Sequence, residues 1–194
     1  MPFEEKYALE TIKAFKFGNH VNRLSSSSYI ATYPYLLEAS RQLISSMGED
    51  SYVPIIHMAY GWMPKIISNI SENASDVARI DHISNIEDFS NALTFLRSFE
   101  RSPFNNSYVG LSKFLHFIKP DIFPIWDSRV ASIFQVSANI INTSDIYCSY
   151  LNFCHRNIDL EQVSNFEIQF EEHFGYSTSK IRSLELMLFL SSES

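Results

Sequence analysis

The stretch from 107 to 130, SYVGLSKFLHFIKPDIFPIWDSRV, constrains the fold more than any other part of the sequence. Because the residue before a proline is pushed out of the α region, we expect a helix that begins near Gly110 and ends before Pro120. A short extended segment should follow, and Asp127 then has a side chain suited to cap a second helix. The stretch therefore predicts two helices, with Lys113 near the start of the first and Asp127 at the start of the second.

The rest of the chain also favours helices. No segment shows a sustained alternation of apolar and polar residues bounded by hairpin turns, and there are only five glycines. Helical periodicity and capping residues predict further helices over 4–17, 29–47, 53–70, 85–99, 143–156, 159–174 and 178–190. We predict an all-α fold of about nine helices in a single domain over residues 1–194. We expect this domain to be compact or to have two lobes, with the site between the lobes near 105–130.

Several breakers and caps refine these boundaries. Gly61 and Pro64 should kink or split the helix that contains them, and Pro34 should delay the start of its helix. Asn85 is the expected N-cap of its helix. The polar residues 19–28 are expected to form a connection without a helix of their own.

Composition excludes several classes of protein. With 45% hydrophobic residues and 16 phenylalanines, the chain can bury a large core and is not disordered. It has no apolar run of about 18 residues and no signal-peptide core, so we expect no membrane span and a cytoplasmic location. Cys148 and Cys154 are expected to be reduced, buried thiols. Because neither the histidines nor the cysteines have metal-ligand spacing, we expect no metal and no other cofactor.

Lys113 and Asp127 are the candidate catalytic pair. A lysine at a helix start lies at the positive end of the macrodipole, which favours its neutral, nucleophilic form. A carboxylate at a facing helix start can stabilise a developing cation or activate a nucleophile. Breaking an N-glycosidic bond requires such groups, since its transition state places positive charge on the sugar. The alternative is that Asp127 only caps its helix and that Lys113 is only solvated.

The same residues resemble the helix-hairpin-helix DNA glycosylase superfamily. The pattern G-x-S-K before an apolar helix, followed by F-P-I-W-D-S-R-V, is similar to that family's hairpin, lysine helix and aspartate segment. The resemblance implies an all-helical, two-lobed fold, with Asp127 as catalytic carboxylate and Lys113 as Schiff-base nucleophile of a glycosylase and lyase. It implies DNA with a damaged or modified base as the partner. DNA repair and defence against modified phage DNA both fit that activity.

Further side chains are assigned to the substrate. The candidates for contact with a flipped nucleotide are Ser112, His116, Trp126, Arg129, Tyr60 and Trp62. Gly110 and Tyr108 are expected to contact the DNA backbone. For the aromatic residues and the histidine, the alternative is a place in the core. Near the C-terminus, Arg182 and Glu185 have the spacing of a structural i,i+3 ion pair.

Two other functions stay open. The formal net charge of −7 and a hairpin with the single glycine Gly110 favour a non-catalytic helical binding or regulatory module. An enzyme that hydrolyses free nucleosides or nucleotides is the third hypothesis, since an acidic surface does not hinder binding of a small substrate. Convergence of Lys113 and Asp127 in a cleft that solvent reaches would favour an enzyme over the binding module.

Overall fold

A computed structural model describes residues 3–62, 66–71, 74, 83 and 86–192. The described residues form α-helices joined by loops and short 3-10 turns, and their β pairing is limited to an isolated bridge between Ile70 and Phe104. The prediction of an all-α fold is therefore confirmed.

The helices are numbered here in chain order over the described residues. They are α1 (Glu5–Ala14), α2 (Val21–Ser25), α3 (Ser28–Met47), α4 (Tyr52–Trp62), α5 (Phe89–Arg97), α6 (Tyr108–Ile118), α7 (Ser128–Ile133), α8 (Ser144–Asn157), α9 (Glu161–Phe174) and α10 (Lys180–Ser191). Apart from α2, the predicted positions of these helices hold, with ends shifted by about a turn or less in most cases. The prediction for 53–70 is wrong in its second half, because α4 runs through Gly61 and ends at Trp62, and residues 66–70 are not helical. The break expected at Pro64 and the cap expected at Asn85 lie outside the described residues. Asp88 caps α5, since its carboxylate accepts a bond from the Asn91 N–H at 2.8 Å.

The prediction that 19–28 is a connection without a helix is wrong. The short helix α2 forms there, and its Leu24 is only 1% exposed. One buried leucine among polar residues gives no periodic signal, so the helix depends on tertiary packing. This helix matters because it also carries Arg23.

Pro34 lies inside α3 and does not delay its start, contrary to the prediction. Proline has no N–H, so the carbonyl of Ile30 one turn earlier loses its helical partner. The hydroxyl of Tyr176, in the connection between α9 and α10, donates to that carbonyl at 2.9 Å. A side chain distant in sequence thus satisfies the acceptor that the proline leaves unpaired.

Helix α10 is the buried axis of the fold. Its residues from Ile181 to Leu190 are buried except the half-buried Phe189, and it packs against α1, α7, α8 and α9. A helix that is apolar nearly all round has to lie in the interior. The polar exceptions between Ile181 and Leu190 are Arg182, Ser183 and Glu185, and the two charged ones are 3% and 2% exposed.

Two other expectations can be compared with the described residues. None of their helices has both the length and the apolar character needed to span a membrane. Cys148 and Cys154 are buried and carry no disulfide, as predicted.

The bond between Tyr176 and the Ile30 carbonyl is open to a direct test. Tyr176→Phe should lower the free energy of unfolding by about 1 kcal/mol, because a buried carbonyl loses its donor. Adding Pro34→Ala should recover most of this loss, since the alanine N–H can then pair with Ile30. Urea denaturation of the single and double variants measures both effects, with Tyr35→Phe on the exposed face of α3 as the control. Equal losses from Tyr176→Phe with and without Pro34→Ala would contradict this pairing.

Candidate functional site

A cavity of about 350 Å³ lies beside α10 and brings the predicted catalytic pair together. Its walls come from α2, the start of α3, the end of α4, the first half of α6, the residues that lead into α7, and one face of α10. Lys113 and Asp127 both line it, as do Arg182 and Glu185. These two basic and two acidic side chains come from three separate parts of the chain, and the cavity is lined by the further basic residues Arg23 and Arg129.

Asp127 has the position that the sequence predicts. Its Oδ1 accepts bonds from the N–H groups of Arg129 at 3.0 Å and Val130 at 2.9 Å, so it is the N-cap of α7. The side chain is half-buried and lines the cavity at the same time. Capping uses one carboxylate oxygen, so the cap and a role towards a ligand are compatible.

Lys113 differs from the prediction in one respect. Helix α6 begins at Tyr108, which places Lys113 in the second turn and not at the helix start. Because the macrodipole acts mainly within the first turn, it does not account for a neutral lysine here. The residue is 9% exposed and acts electrostatically on Glu185, so its charge lies inside the cavity region.

Arg182 and Glu185 form the predicted ion pair, and it is fully buried. Arg182 Nη1 donates to Glu185 Oε2, and the arginine also lies over the Tyr33 ring at 4.7 Å from its centroid. Arg182 Nε has no hydrogen-bond partner among the described residues, and the same holds for Trp62 Nε1. Both of these buried donors belong to side chains that line the cavity.

The environment of Glu185 changes its protonation. Burial raises the pKa of Glu185 from its usual 4.5 to about 7, and the Arg182 guanidinium opposes this shift. The charge of Asp127 raises the pKa further, whereas Lys113 lowers it. A carboxyl group with a pKa near 7 can hold or release a proton at neutral pH, as a general acid requires.

Ser112 positions the segment that leads to Asp127. It is fully buried in α6, where its Oγ accepts from the Trp126 N–H at 3.0 Å and donates to the Val109 carbonyl at 3.0 Å. The hydroxyl thereby fixes the backbone one residue before Asp127. Ser112 lies behind the cavity wall, so the structure gives it a positioning role and no contact with a substrate.

His116 belongs to the core and not to the cavity. Its Nδ1–H donates to the Phe123 carbonyl at 2.7 Å, and its Nε2 accepts from the Tyr33 hydroxyl at 2.7 Å. Burial lowers the pKa of His116 to about 3, an effect that the Arg182 charge reinforces. A neutral, fully buried histidine with both nitrogens bonded is not placed to contact a substrate, so this expectation is corrected.

Trp126 and Tyr60 are core residues as well. Trp126 is fully buried, packs at a tilt with its ring centroid 4.7 Å from that of Tyr150, and donates its indole N–H to the Ile141 carbonyl at 2.9 Å. Tyr60 is 3% exposed and donates to the Phe104 carbonyl at 3.2 Å. Neither ring presents a face to a flipped base. Trp62 differs, since it lines the cavity as expected.

Gly110 and Tyr108 do not form a DNA-binding hairpin. Both are buried inside α6, and the Tyr108 hydroxyl donates to the Phe99 carbonyl at 3.1 Å. A Cβ atom on Gly110 would lie 2.3 Å from the Tyr60 hydroxyl oxygen. The glycine is thus required by close packing of α6 against α4, and the expected contact with phosphate is not available at these residues.

Arg129 lines the cavity at its outer side together with two residues that sequence analysis missed. The guanidinium carbons of Arg23 and Arg129 lie 5.7 and 5.0 Å from the centroid of the Phe189 ring. Arg23 also donates from Nη1 to the Leu190 carbonyl at 3.2 Å. We call Arg23, Arg129 and Phe189 the arginine rim. Arg129 is exposed, whereas Arg182 and Glu185 at the inner end are buried.

Arg182 and Glu185 were predicted only as a structural ion pair, so they too were missed as cavity residues, and the sequence signals for the missed residues differ. The placement of Glu185 and Arg182 is visible in the sequence, because charged residues in a helix that is otherwise apolar all round must be buried with it. Arg23 has no such signal, since it lies in a polar stretch whose helix was not predicted. No cluster of three or more histidine, cysteine or acidic side chains suited to a metal occurs among the described residues.

Comparison with protein-family models, with curated proteins and with solved structures finds no match for this chain. The resemblance to helix-hairpin-helix glycosylases therefore stays a prediction from the residues.

The packing role of Gly110 predicts the effect of a single methyl group. Gly110→Ala should lower the free energy of unfolding by about 1–3 kcal/mol, because the new Cβ overlaps the Tyr60 ring. Gly61→Ala in α4 is the matched control: among the described residues, outside its chain neighbours and its own helix backbone, no atom lies within 4 Å of the added Cβ, so stability should stay or rise. Urea denaturation measures both. Unchanged stability of Gly110→Ala would contradict the packing role.

The raised pKa of Glu185 predicts a pH-dependent stability. Because the folded protein holds this proton more tightly, the contribution is complete below pH 4.5 and is lost as the pH rises through about 7. Wild type should therefore lose stability relative to Glu185→Gln across this range, by at most about 1.4 kcal/mol per pH unit. Denaturant titrations from pH 4.5 to 8 test this, with the exposed Glu172→Gln as control. Parallel curves for wild type and Glu185→Gln would contradict it.

Proposed function

We propose that the cavity cleaves the N-glycosidic bond of a nucleotide unit. The observation that carries the proposal is the convergence of Lys113, Asp127 and Glu185 on one cavity. The resemblance adds the substrate class, which is a damaged or modified base flipped out of DNA. Such a base costs less to extrude than an ordinary one, which suits a chain with a net charge of −7.

The carboxyl groups divide the chemistry between them. When the bond between C1′ and the base breaks, its electron pair goes to the base, and Glu185 supplies the proton that neutralises the base. Asp127 provides a negative charge for the cationic sugar and accepts a proton from the water that adds to C1′. This division resembles other sites in which one carboxyl group is kept protonated and another charged.

Lys113 offers a second route to release of the base. A neutral amine would add to C1′ in place of water, the base would leave with a proton, and opening of the sugar ring would give a Schiff base. The charged form would instead bind a phosphate or the departing base. The two roles differ in whether a covalent intermediate forms.

A free nucleoside or nucleotide is the second candidate substrate. It is favoured by the burial of Gly110 and Tyr108, because the residues expected to grip duplex DNA are inside the protein. Trp126, expected to stack on a flipped base, is also buried. A small substrate needs only the cavity and not an extended DNA-binding surface.

The deciding experiment measures base release and covalent trapping together. Duplex oligonucleotides with an abasic site or modified bases, and free nucleosides and nucleotides, are incubated with wild type, Lys113→Ala, Asp127→Asn and Glu185→Gln. Borohydride reduces any Schiff base to a stable adduct. Lys119→Ala and Asp121→Asn make the same chemical changes outside the cavity and serve as controls.

We expect base release that falls at least 100-fold in Asp127→Asn, because the charge opposite the cationic sugar is lost. Loss of the general acid in Glu185→Gln should cost a similar factor for substrates with poor leaving groups. An adduct that disappears only with Lys113→Ala assigns the lyase route, and release without an adduct assigns the water route. Absence of release from every substrate would contradict the proposal and favour the non-catalytic binding module.

A further inference from the structure

The arginine rim unites three separate parts of the chain around one aromatic ring. Arg23 comes from α2, Arg129 from α7 and Phe189 from α10, and both guanidinium groups lie within 6 Å of the ring centroid. The bond from Arg23 to the Leu190 carbonyl fixes the first of them. All three residues line the cavity that holds Asp127 and Glu185.

The described part of the cavity lining has more basic than acidic side chains, although the chain as a whole is acidic. Among the lining residues that the structure describes, the basic ones are Arg23, Lys113, Arg129 and Arg182, and the acidic ones are Asp127 and Glu185. One carboxyl group already pairs with Arg182 and has a pKa near 7, which reduces the negative charge further. A concentration of cations in a concave site of an acidic protein attracts anionic ligands.

The inner end of the cavity offers hydrogen-bond donors, in contrast to the positive charges of the arginine rim. Trp62 Nε1 and Arg182 Nε are buried donors without a partner among the described residues, and such groups are usually paired in native proteins. A ligand with acceptor atoms, such as the carbonyl and ring nitrogens of a base, would satisfy them. Tyr29 and Trp62 pack edge to face at 5.3 Å and add aromatic surface to the same wall.

We infer that the arginine rim is a phosphate subsite, so that the substrate enters as a phosphorylated nucleotide unit with its base at the inner end. The planar guanidinium fork matches the oxygens of a phosphate and holds it by charge-assisted bonds. A cavity of about 350 Å³ suits one nucleotide. This inference rests on the proposed function for the identity of the ligand, whereas the charge distribution stands without it.

Two sources of phosphate share this chemistry: the terminal monoester of a free nucleotide and the phosphodiester beside a flipped base. Isothermal titration calorimetry on Asp127→Asn protein, which should not turn over, compares the four common nucleoside 5′-monophosphates with their nucleosides. Inorganic phosphate and a single-stranded oligonucleotide with an internal abasic site and no terminal phosphate are the other probes. Each titration is repeated on two further variants of the Asp127→Asn protein. One adds Arg129→Gln, and the other adds Arg23→Gln and Arg129→Gln together. Arg41→Gln on the exposed face of α3 is the matched control.

We expect a monophosphate or the oligonucleotide to bind at least about tenfold more tightly than the corresponding nucleoside. The advantage should shrink in Arg129→Gln, vanish in the double substitution and persist in Arg41→Gln. Because Arg129 is exposed, its substitution tests the subsite even if loss of the Arg23 bond affects folding. Preference for the monophosphate assigns a free nucleotide, and preference for the oligonucleotide assigns a strand.

Equal affinity for nucleosides and phosphorylated ligands, a preference that survives the double substitution, or no binding by any probe would overturn the inference. These outcomes are separate from those for base release. Phosphate binding that depends on the arginines, without base release, would support the phosphate subsite and overturn the proposed enzymatic activity. Base release without any preference for phosphorylated ligands would support the enzymatic activity and overturn the phosphate subsite.

Discussion

The buried extended segment between α6 and α7 is the constraint on which the site depends. Residues 122–126 form no helix, so their backbone polar groups need partners from elsewhere, since each unpaired buried group costs about 1–3 kcal/mol. The Lys119 carbonyl accepts from the N–H groups of Ile122 and Phe123. Side chains supply further partners: His155 donates to the Ile122 carbonyl, His116 to the Phe123 carbonyl and Tyr147 to the Pro124 carbonyl, while Ser112 accepts from the Trp126 N–H. Helices α6 and α8 thus hold the segment from both sides. Asp127 follows it directly, so its place in the cavity is set by a rigid backbone.

The buried pair on α10 has a different meaning. Replacing a buried ion pair by apolar residues is often neutral or stabilising, so stability alone does not explain Arg182 and Glu185. Their charges are offset unequally, because Asp127 opposes ionisation of Glu185 while Lys113 and Arg182 favour it. Because opposing charges hold the pKa of Glu185 near 7, a charged ligand in the cavity can make this carboxyl group gain or lose a proton. A site of this kind is consistent with acid chemistry at neutral pH and gives the polar groups of the core a use beyond packing.

The features that the sequence predicted depend on local interactions, whereas those that it missed depend on contacts between residues far apart in the chain. The cap at Asp127, the end of α6 before Pro120 and the all-helical class follow from local preferences, and the structure confirms them. The roles of Gly110, Ser112 and His116 depend on residues distant in the chain, and a local pattern does not report them. Helix α2 depends on burial of Leu24, and the arginine rim depends on contacts of Phe189 with side chains from other helices; no short window of sequence contains these contacts. The apolar character of α10 does predict that Arg182 and Glu185 are buried, although the sequence analysis assigned them only as an ion pair.

The distinction between local features and long-range contacts also applies to the resemblance to helix-hairpin-helix glycosylases. An apolar helix, an extended segment with proline and an aspartate cap are local features, and any fold that needs a capped helix after a buried strand-like segment can use them. The residues expected to contact DNA instead serve packing, since Gly110 accommodates Tyr60 and Trp126 fills the core. What favours chemistry over simple capping is therefore not the motif but its surroundings. If Asp127 only capped α7, the helix would form without a lysine, a buried glutamate and two arginines around the same cavity.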